Sequence, residues 1–495
     1  MLDFKKAFCI ILIMCIIFMT ALAGCSRNDE PSNILTVEGG GGGTLDDDIP
    51  ADSLEARKLV SDGIPALDFG GADFRIVTQT HEAGNIRQDE ATGDTVKDTI
   101  YDRTIAVEER FNIKLVTITG TYTENNEYVT KVVMANDDAF DFMYGQGVAT
   151  SELVQKGLML SWDHIPYVDF SKPWWASSTI DDLSVKGKTY LAIGDFSLTA
   201  QSCTYCMYYN KLQAEKYALP DIYEVVNKGQ WTIDKLLELT KNIYEDVNGD
   251  GVKDSDDFYG FSADPLSNIN AYLWAFDNPV MKKDAEGIPQ FVLKTEKMPN
   301  IIDKIRYLYF ENPGSWSDIN DAYSAPVNSG AKLFSASRCV FVSTGLWYAN
   351  SLRSLEEDYG IIPYPKWNET QERYQTMSDG GMSLFAIPIT APDLEMVGAV
   401  TEVLNAESWK YVIPAYYDIA LKVKGVRDEQ SIEMLELVVA GRVYDFGYIY
   451  DNWQGLSFII EWVIHDPAAN FESYYAKNES RARKHYEDIV NVFLE

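Results

Sequence analysis

Strand-like and helix-like patterns alternate along this chain, and the alternation limits the folds that it can adopt. Apolar strand patterns at 74–78, 114–119 and 140–144 are separated by helical patterns at 99–111 and 125–135. Each helical pattern places its apolar side chains on one face, and a β-α-β-α-β order is typical of a parallel α/β sheet. The sequence therefore predicts a parallel sheet that is covered by helices.

A second set of such patterns follows and predicts a second α/β body. Strands are predicted at 189–192, 204–209, 339–342, 359–362 and 384–387, and helices after Thr232 and at 267–276, 299–310, 346–355 and 429–440. Thr232 can cap the helix that follows it, and Gly441 can end the last one. With 495 residues and 46% apolar content, the chain can bury two hydrophobic cores.

The first 25 residues have the pattern of a bacterial lipoprotein signal. Lys5 and Lys6 precede an apolar run at 7–23, and Leu22-Ala-Gly-Cys25 forms a lipobox. A retained transmembrane helix is the alternative, but the run is short against the ~20 residues of a membrane span. We therefore expect residues 1–24 to be a cleaved signal peptide and Cys25 to carry the lipid, with palmitate among its acyl chains. The protein is then held on the extracellular face of the cell membrane.

Residues 25–66 are predicted to be a flexible tether, because a glycine run at 39–43 and three aspartates at 46–48 offer little to bury. The formal net charge of −33 repels phosphate backbones and anionic lipid surfaces. We thus expect no nucleic-acid partner, no membrane contact beyond the anchor, and a small neutral or cationic solute as ligand.

Three cysteines remain after Cys9, Cys15 and Cys25 are assigned to the signal and the lipid. Cys203 and Cys206 have the spacing of a redox or metal motif, but the chain lacks a second such pair. On a strand, residues three apart point to opposite faces, which favours buried free thiols for these two and for Cys339. The sequence leaves open whether Cys203 and Cys206 ever pair.

The segment 246–257 has the ligand spacing of a calcium loop, with a glycine at its sixth position. An aspartate at position 12 replaces the glutamate of EF-hands, and the segment after the loop reads as a strand. We expect a structural Ca²⁺ held by the loop; a solvated acidic turn is the alternative. The expected ligands are Asp246, Asn248, Asp250, Val252 through its carbonyl, Asp254 and Asp257.

Motifs of enzyme active sites are missing from the sequence. It contains no GxSxG, HExxH, P-loop or GxGxxG motif, and its four histidines are scattered. A glycoside hydrolase needs only two carboxylates, so a surface polysaccharide hydrolase remains an alternative. The 13% aromatic content suits a sugar cleft, since sugars stack their C–H faces on aromatic rings.

Several motifs together resemble the extracellular solute-binding proteins of family 1, the lipoprotein receptors of ABC-type sugar importers. Besides the lipobox and the acidic linker, these motifs lie at 101–111, 229–234, 254–261, 359–366 and 412–422. The resemblance covers about 67–495. It implies a two-lobed periplasmic-binding-protein-like fold of type 2, with the ligand cleft between the lobes.

The resemblance also implies how the chain divides between the lobes. The expected N-lobe comprises 67–190 and about 330–382, and the expected C-lobe comprises about 191–329 and 383–495. Chain crossings between the lobes are expected near 192–208, 324–331 and 379–383.

Candidate ligand residues come from the resemblance and from strand ends. The segment 343–348 is similar to the one that brings a tryptophan against the sugar in maltose-type receptors, which makes Trp347 the first candidate; a core position is its alternative. Other candidates follow strand ends or lie near a crossing. They are Tyr144, Gln146, Asp379, Trp274, Asp277 and Glu82.

The resemblance implies a function without catalysis. A monomeric receptor would capture a carbohydrate, in particular an oligosaccharide, and deliver it to ABC permease subunits by lobe closure. A receptor that serves a membrane sensor kinase is a further alternative.

Overall fold

The computed structural model describes residues 53–263, 267–317, 329–421, 429–451, 456–466 and 468–495. Its architecture is one of β-sheets whose strands are connected by helices. The expected signal peptide, Cys25 and the tether up to residue 52 lie outside these described residues. Within them, every helix is too short or too polar to cross a membrane.

Strands and helices follow one another from residue 54 to residue 494, and helices predominate after residue 386. The strands are β1 (Ala72–Gln79), β2 (Ile113–Gly120), β3 (Phe142–Gln146), β4 (Tyr205–Asn210), β5 (Tyr244–Glu245), β6 (Phe258–Ala263), β7 (Met281–Lys283), β8 (Pro289–Phe291), β9 (Ser315–Trp316), β10 (Cys339–Gly345), β11 (Tyr359–Ile362), β12 (Thr376–Met377), β13 (Ser383–Ala386) and β14 (Arg442–Val443).

The helices cover the sheets and fill the C-terminal quarter. They are α1 (Leu54–Leu59), α2 (Ala83–Ile86), α3 (Thr95–Phe111), α4 (Tyr122–Met134), α5 (Gly147–Gln155), α6 (Ser177–Asp182), α7 (Leu198–Ser202), α8 (Lys211–Lys216), α9 (Ile222–Asn227), α10 (Ile233–Thr240), α11 (Ala271–Ala275), α12 (Met298–Arg306), α13 (Ser329–Ser335), α14 (Leu394–Glu407), α15 (Ile413–Leu421), α16 (Glu429–Ala440), α17 (Phe446–Ile449), α18 (Ile459–Ile464) and α19 (Phe471–Leu494).

A first sheet has the strand order β13-β3-β1-β2. β1 runs parallel to β2 and to β3, and β13 pairs with β3 in the antiparallel sense. Every residue of β3 is buried, as expected for a strand that helices cover on both faces. The predicted parallel sheet is thus confirmed for the strands at 74–78, 114–119 and 140–144.

A second sheet has the strand order β11-β4-β10-β6-β5, with β9 paired to β6. β10 runs parallel to β6 and antiparallel to β4. Thr232 caps α10 by accepting the N–H of Lys235 at 3.2 Å, as the sequence predicts. The predicted strand at 189–192 is wrong, because the backbone there forms only an isolated bridge between Ala192 and Phe385.

Strand pairing differs from the expected division of the chain between lobes. β10 and β11 belong to the second sheet, although the sequence places 330–382 with the first lobe. β13 belongs to the first sheet, although the sequence places 383–495 with the second lobe. The pairing therefore reverses the assignment of these strands.

Two of the three expected crossings agree with the sheets. The chain passes from β3 to β4 through 192–208 and from β12 to β13 through 379–383, each time between a strand of the first sheet and the second body. The crossing expected near 324–331 is wrong, because β9 and β10 on either side of it pair within one sheet.

Candidate functional site

Backbone hydrogen bonds join the two crossing segments at the carboxyl ends of the parallel strands. The Gly147 N–H, just after β3, donates to the Met382 carbonyl at 2.8 Å, and the Leu346 N–H, just after β10, donates to the Thr204 carbonyl at 2.9 Å. The Asp379 N–H donates to the Cys203 carbonyl at 2.8 Å. Open α/β sheets bind ligands outside the carboxyl ends of their strands, so this junction is the candidate cleft.

Trp347 and Asp379 meet at this junction through a tyrosine. The Tyr205 hydroxyl donates to Oδ2 of Asp379 at 2.6 Å, and the Trp347 ring lies edge-on to the Tyr205 ring with centroids 5.6 Å apart. Both Trp347 and Asp379 are partly exposed, whereas Tyr205 is buried. Burial, and then the nearby Asp379 carboxylate, raise the pKa of Tyr205 well above its usual value, so its hydroxyl stays a donor.

Glu82 brings a second carboxylate toward the same junction from the first sheet. It follows β1, is buried, and accepts the Asn85 side-chain amide at 2.7 Å. Burial raises its pKa. Burial, and then the Asp379 and Glu82 carboxylates, raise the pKa of the Cys203 thiol well above its usual value.

The two candidate ligand residues at the end of β3, Tyr144 and Gln146, have buried side chains. Tyr144 is fully buried and packs edge-on against Phe196 at 5.4 Å, so it is a core residue beneath the cleft. Gln146 is buried too, and its Oε1 accepts the Ala149 N–H at 2.5 Å as the cap of α5. Neither side chain is exposed to a ligand in this structure.

Trp274 supports the cleft from behind. Its ring is buried 5.2 Å from that of Tyr448, and its Nε1 donates to Asp445 at 2.9 Å. The Tyr448 hydroxyl accepts the Gly380 N–H at 2.8 Å, next to Asp379. Trp274 therefore acts on the crossing segment through Tyr448.

Asp277 lies away from the junction. It is exposed, it pairs with Lys282 at 3.3 Å, and together with Trp274 it lines a cavity of about 370 Å³ that contains neither Trp347 nor Asp379. The position of Asp277 after a strand pattern therefore does not predict which cavity its side chain lines.

Tyr205 is a residue of the junction that the sequence does not single out. It begins β4 within the first crossing, two residues after Cys203. The pattern at 204–209 marks it only as an apolar strand residue, and its contact with Asp379 joins positions 174 residues apart.

The candidate calcium loop is closed by its own side chains. Oδ1 and Oδ2 of Asp246 accept the N–H groups of Gly249 and Gly251 at 2.7 and 3.0 Å. Asp257 is buried and accepts the Tyr244 hydroxyl at 2.9 Å. The described residues nowhere bring three His, Cys, Asp or Glu side chains together to hold a metal ion, so this fit is partial.

The described cysteines are free, in agreement with the sequence analysis. Cys206 and Cys339 are buried, and only Cys203 is partly exposed.

Solved structures provide the comparison that decides the fold. No family model and no curated protein matches the chain. The GacH receptor of Streptomyces glaucescens, solved with acarbose, matches with a TM-score of 0.53 at 12% identity over 86% of this chain and 97% of that one. UgpB from Mycobacterium tuberculosis, solved with glycerophosphocholine, has a TM-score of 0.52 at 15% identity over 86% and 100%.

The chain has the two-lobed α/β fold of ABC solute-binding proteins. A third match, the ABC substrate-binding protein Lmo0181 of Listeria monocytogenes with cycloalternan, has a TM-score of 0.51 at 12% identity over 85% of this chain and 98% of that one. The fold expected from the family resemblance is therefore confirmed. These neighbours are binding proteins.

Proposed function

We propose that this protein is a lipid-anchored extracellular receptor that captures an oligosaccharide and delivers it to an ABC importer. The observation that carries the proposal is the contact of both Trp347 and Asp379 with Tyr205 at the junction where the chain crosses between sheets. Solved neighbours with acarbose and cycloalternan support a carbohydrate as the ligand.

The side chains at this junction suit a sugar. An aromatic ring can pack against the C–H face of a pyranose, and carboxylates accept hydrogen bonds from its hydroxyls. Trp347 belongs to the second lobe and Glu82 to the first, so a ligand that contacts both stabilises the closed form over the open form. The closed form is the state that docks on the permease, and no bond in the ligand changes.

Thermal unfolding with a ligand panel tests this proposal. Linear and cyclic oligosaccharides, monosaccharides, amino acids and peptides are added in turn to the full chain. A bound ligand at a hundredfold excess over its Kd adds about 2.7 kcal/mol to the free energy of unfolding. A shift with an oligosaccharide supports the proposal, and a shift with peptides alone contradicts it.

The same samples separate binding from hydrolysis. Glu82 and Asp379 are the two carboxylates that a hydrolase would use at this junction. We expect chromatography after prolonged incubation to recover the oligosaccharide intact. If the wild type yields shortened products and an E82Q variant does not, the protein is a polysaccharide hydrolase and the receptor proposal is wrong.

Lipid attachment at Cys25 forms part of the proposal and rests on the lipobox. An anchored receptor stays near its permease at a raised effective concentration. We expect the wild type to be labelled with palmitate and C25A to lose the label. Labelling that persists in C25A, or a wild type that is never labelled, would contradict lipid attachment at Cys25.

We also propose that the loop 246–257 holds a structural Ca²⁺. Asp246 and Asp250 already point into the loop, where they accept its N–H groups. Terbium luminescence sensitised by the nearby Tyr244 measures occupancy directly. We expect D250A to remove the signal and D256A, at a position without a ligand role, to keep it; equal signals from both variants would refute the site.

A further inference from the structure

A cavity of about 360 Å³ lies beside the first crossing segment and shares no lining residue with the candidate cleft. Its size falls within the range of about 300–1,000 Å³ that is usual for small-molecule sites. The wall combines aromatic rings with charged and amide side chains, among them Trp175, Trp409, Asp195, Gln201, Arg57 and Arg442.

Two arginines make this cavity locally positive. The Arg57 guanidinium lies 5.2 Å from the centroid of the Trp409 ring, and Nη1 of Arg442 donates to Oε1 of Gln201 at 2.7 Å. Neither arginine forms an ion pair with a carboxylate in the described part of the chain. With Asp195 as the acidic side chain of its wall, a cavity that has two arginines keeps a net positive charge, which favours an anionic ligand.

Asp195 adds a group that suits hydroxyls. Its Oδ1 accepts the Gln201 side-chain amide at 3.1 Å. Burial raises its pKa to about 7, against the opposing effects of Arg442 and Arg57. Close to neutral pH the carboxyl therefore both donates and accepts hydrogen bonds, as a sugar hydroxyl does.

The aromatic part of the wall is held rigidly from behind. The indole N–H groups of Trp174 and Trp175 both donate to the buried Glu402, each at 2.8 Å. Because these rings are fixed before a ligand arrives, little side-chain entropy is lost on binding.

We propose that this cavity binds a sugar acid of the size of a hexuronate. Its carboxylate pairs with Arg57 and Arg442, its hydroxyls bond to Asp195 and Gln201, and its ring packs on the tryptophans. The site is additional to the oligosaccharide cleft and does not depend on the function proposed for that cleft.

Calorimetric titration of the full chain with D-galacturonate and with D-galactose tests the proposal. We expect galacturonate to bind at least tenfold more tightly than galactose, since only the acid meets the arginines. We expect R57Q to weaken galacturonate binding by tenfold or more. If R57Q does not fold, R442Q serves as the second variant and is expected to weaken binding by the same factor. The control R338Q, which removes a surface arginine paired with Asp256, should bind like the wild type.

Titration of a cleft variant shows whether the sugar acid binds in this cavity or in the cleft. W347A should leave galacturonate binding unchanged, because Trp347 lies in the cleft. Loss of binding in W347A, equal affinity for the two sugars, or absence of galacturonate binding by the wild type would each overturn the proposal.

Discussion

At the scale of single residues, the structure distinguishes tryptophans that the sequence cannot. Trp274 and Trp347 both follow strand patterns, yet Trp274 is 2% exposed and bonded to Asp445, whereas Trp347 is partly exposed beside Asp379. Exposure depends on contacts with residues distant in sequence. Sequence patterns could therefore name Trp347, Asp379, Tyr144 and Gln146 as candidates, but could not indicate that the first two are partly exposed and the last two buried.

Glu402 carries a pH-dependent part of the stability. It is fully buried and accepts two indole N–H groups, and burial raises its pKa to about 7. The folded state thus keeps the Glu402 proton at pH values where the unfolded state has lost it. Stability from this group is highest at low pH and is lost as the pH rises from the unfolded pKa through about 7.

We expect E402Q to remove this pH dependence. Between pH 5 and pH 7, the wild-type free energy of unfolding should fall relative to that of E402Q by up to about 1.4 kcal/mol per pH unit. Urea unfolding across that range measures the slope. E395Q, an exposed change on the same helix, should keep the wild-type slope; if E402Q keeps it as well, Glu402 does not titrate in this range.

At the scale of elements, local signals set the helix ends. The Thr121 hydroxyl accepts the Glu124 N–H at 3.2 Å, and the Glu124 carboxylate accepts the Thr121 N–H at 2.8 Å, which completes a capping box for α4. α4 then packs Val129, Val132 and Val133 into the core of the first lobe.

Removing this cap should destabilise the first lobe. We expect T121A to lower the free energy of unfolding by about 1 kcal/mol, because the Glu124 N–H at the helix start loses the hydroxyl that accepts it. T123A, an exposed change in the same first turn, should stay within about 0.5 kcal/mol of the wild type. Similar losses in both variants, measured by urea unfolding, would argue against the capping box.

The positions of the strands could be predicted from the sequence more completely than the pairing between them. The patterns at 74–78, 204–209 and 359–362 lie within β1, β4 and β11 to within one residue, because buried strands are continuous apolar runs. Strand pairing joins segments far apart in sequence, and apolar runs contain no signal for it. For this reason the sequence does not indicate that β10 pairs with β4 and β6, or that β13 pairs with β3.

At the scale of the whole molecule, the candidate cleft and the second cavity lie along the same crossing segment, 192–208. Cys203 and Tyr205 of this segment contact Asp379, while Asp195 and Gln201 line the second cavity. The two proposals therefore place both ligands beside the segment that links β3 of the first sheet to β4 of the second.

The most direct test of the account is calorimetric titration of W347A with the oligosaccharide that gives the largest thermal shift. Trp462 provides the matched control, because it is 51% exposed and lies outside the cleft residues. We predict that W347A weakens binding by at least tenfold, whereas W462A binds like the wild type. Unchanged affinity in W347A, with an unchanged melting curve, would contradict a sugar site at Trp347.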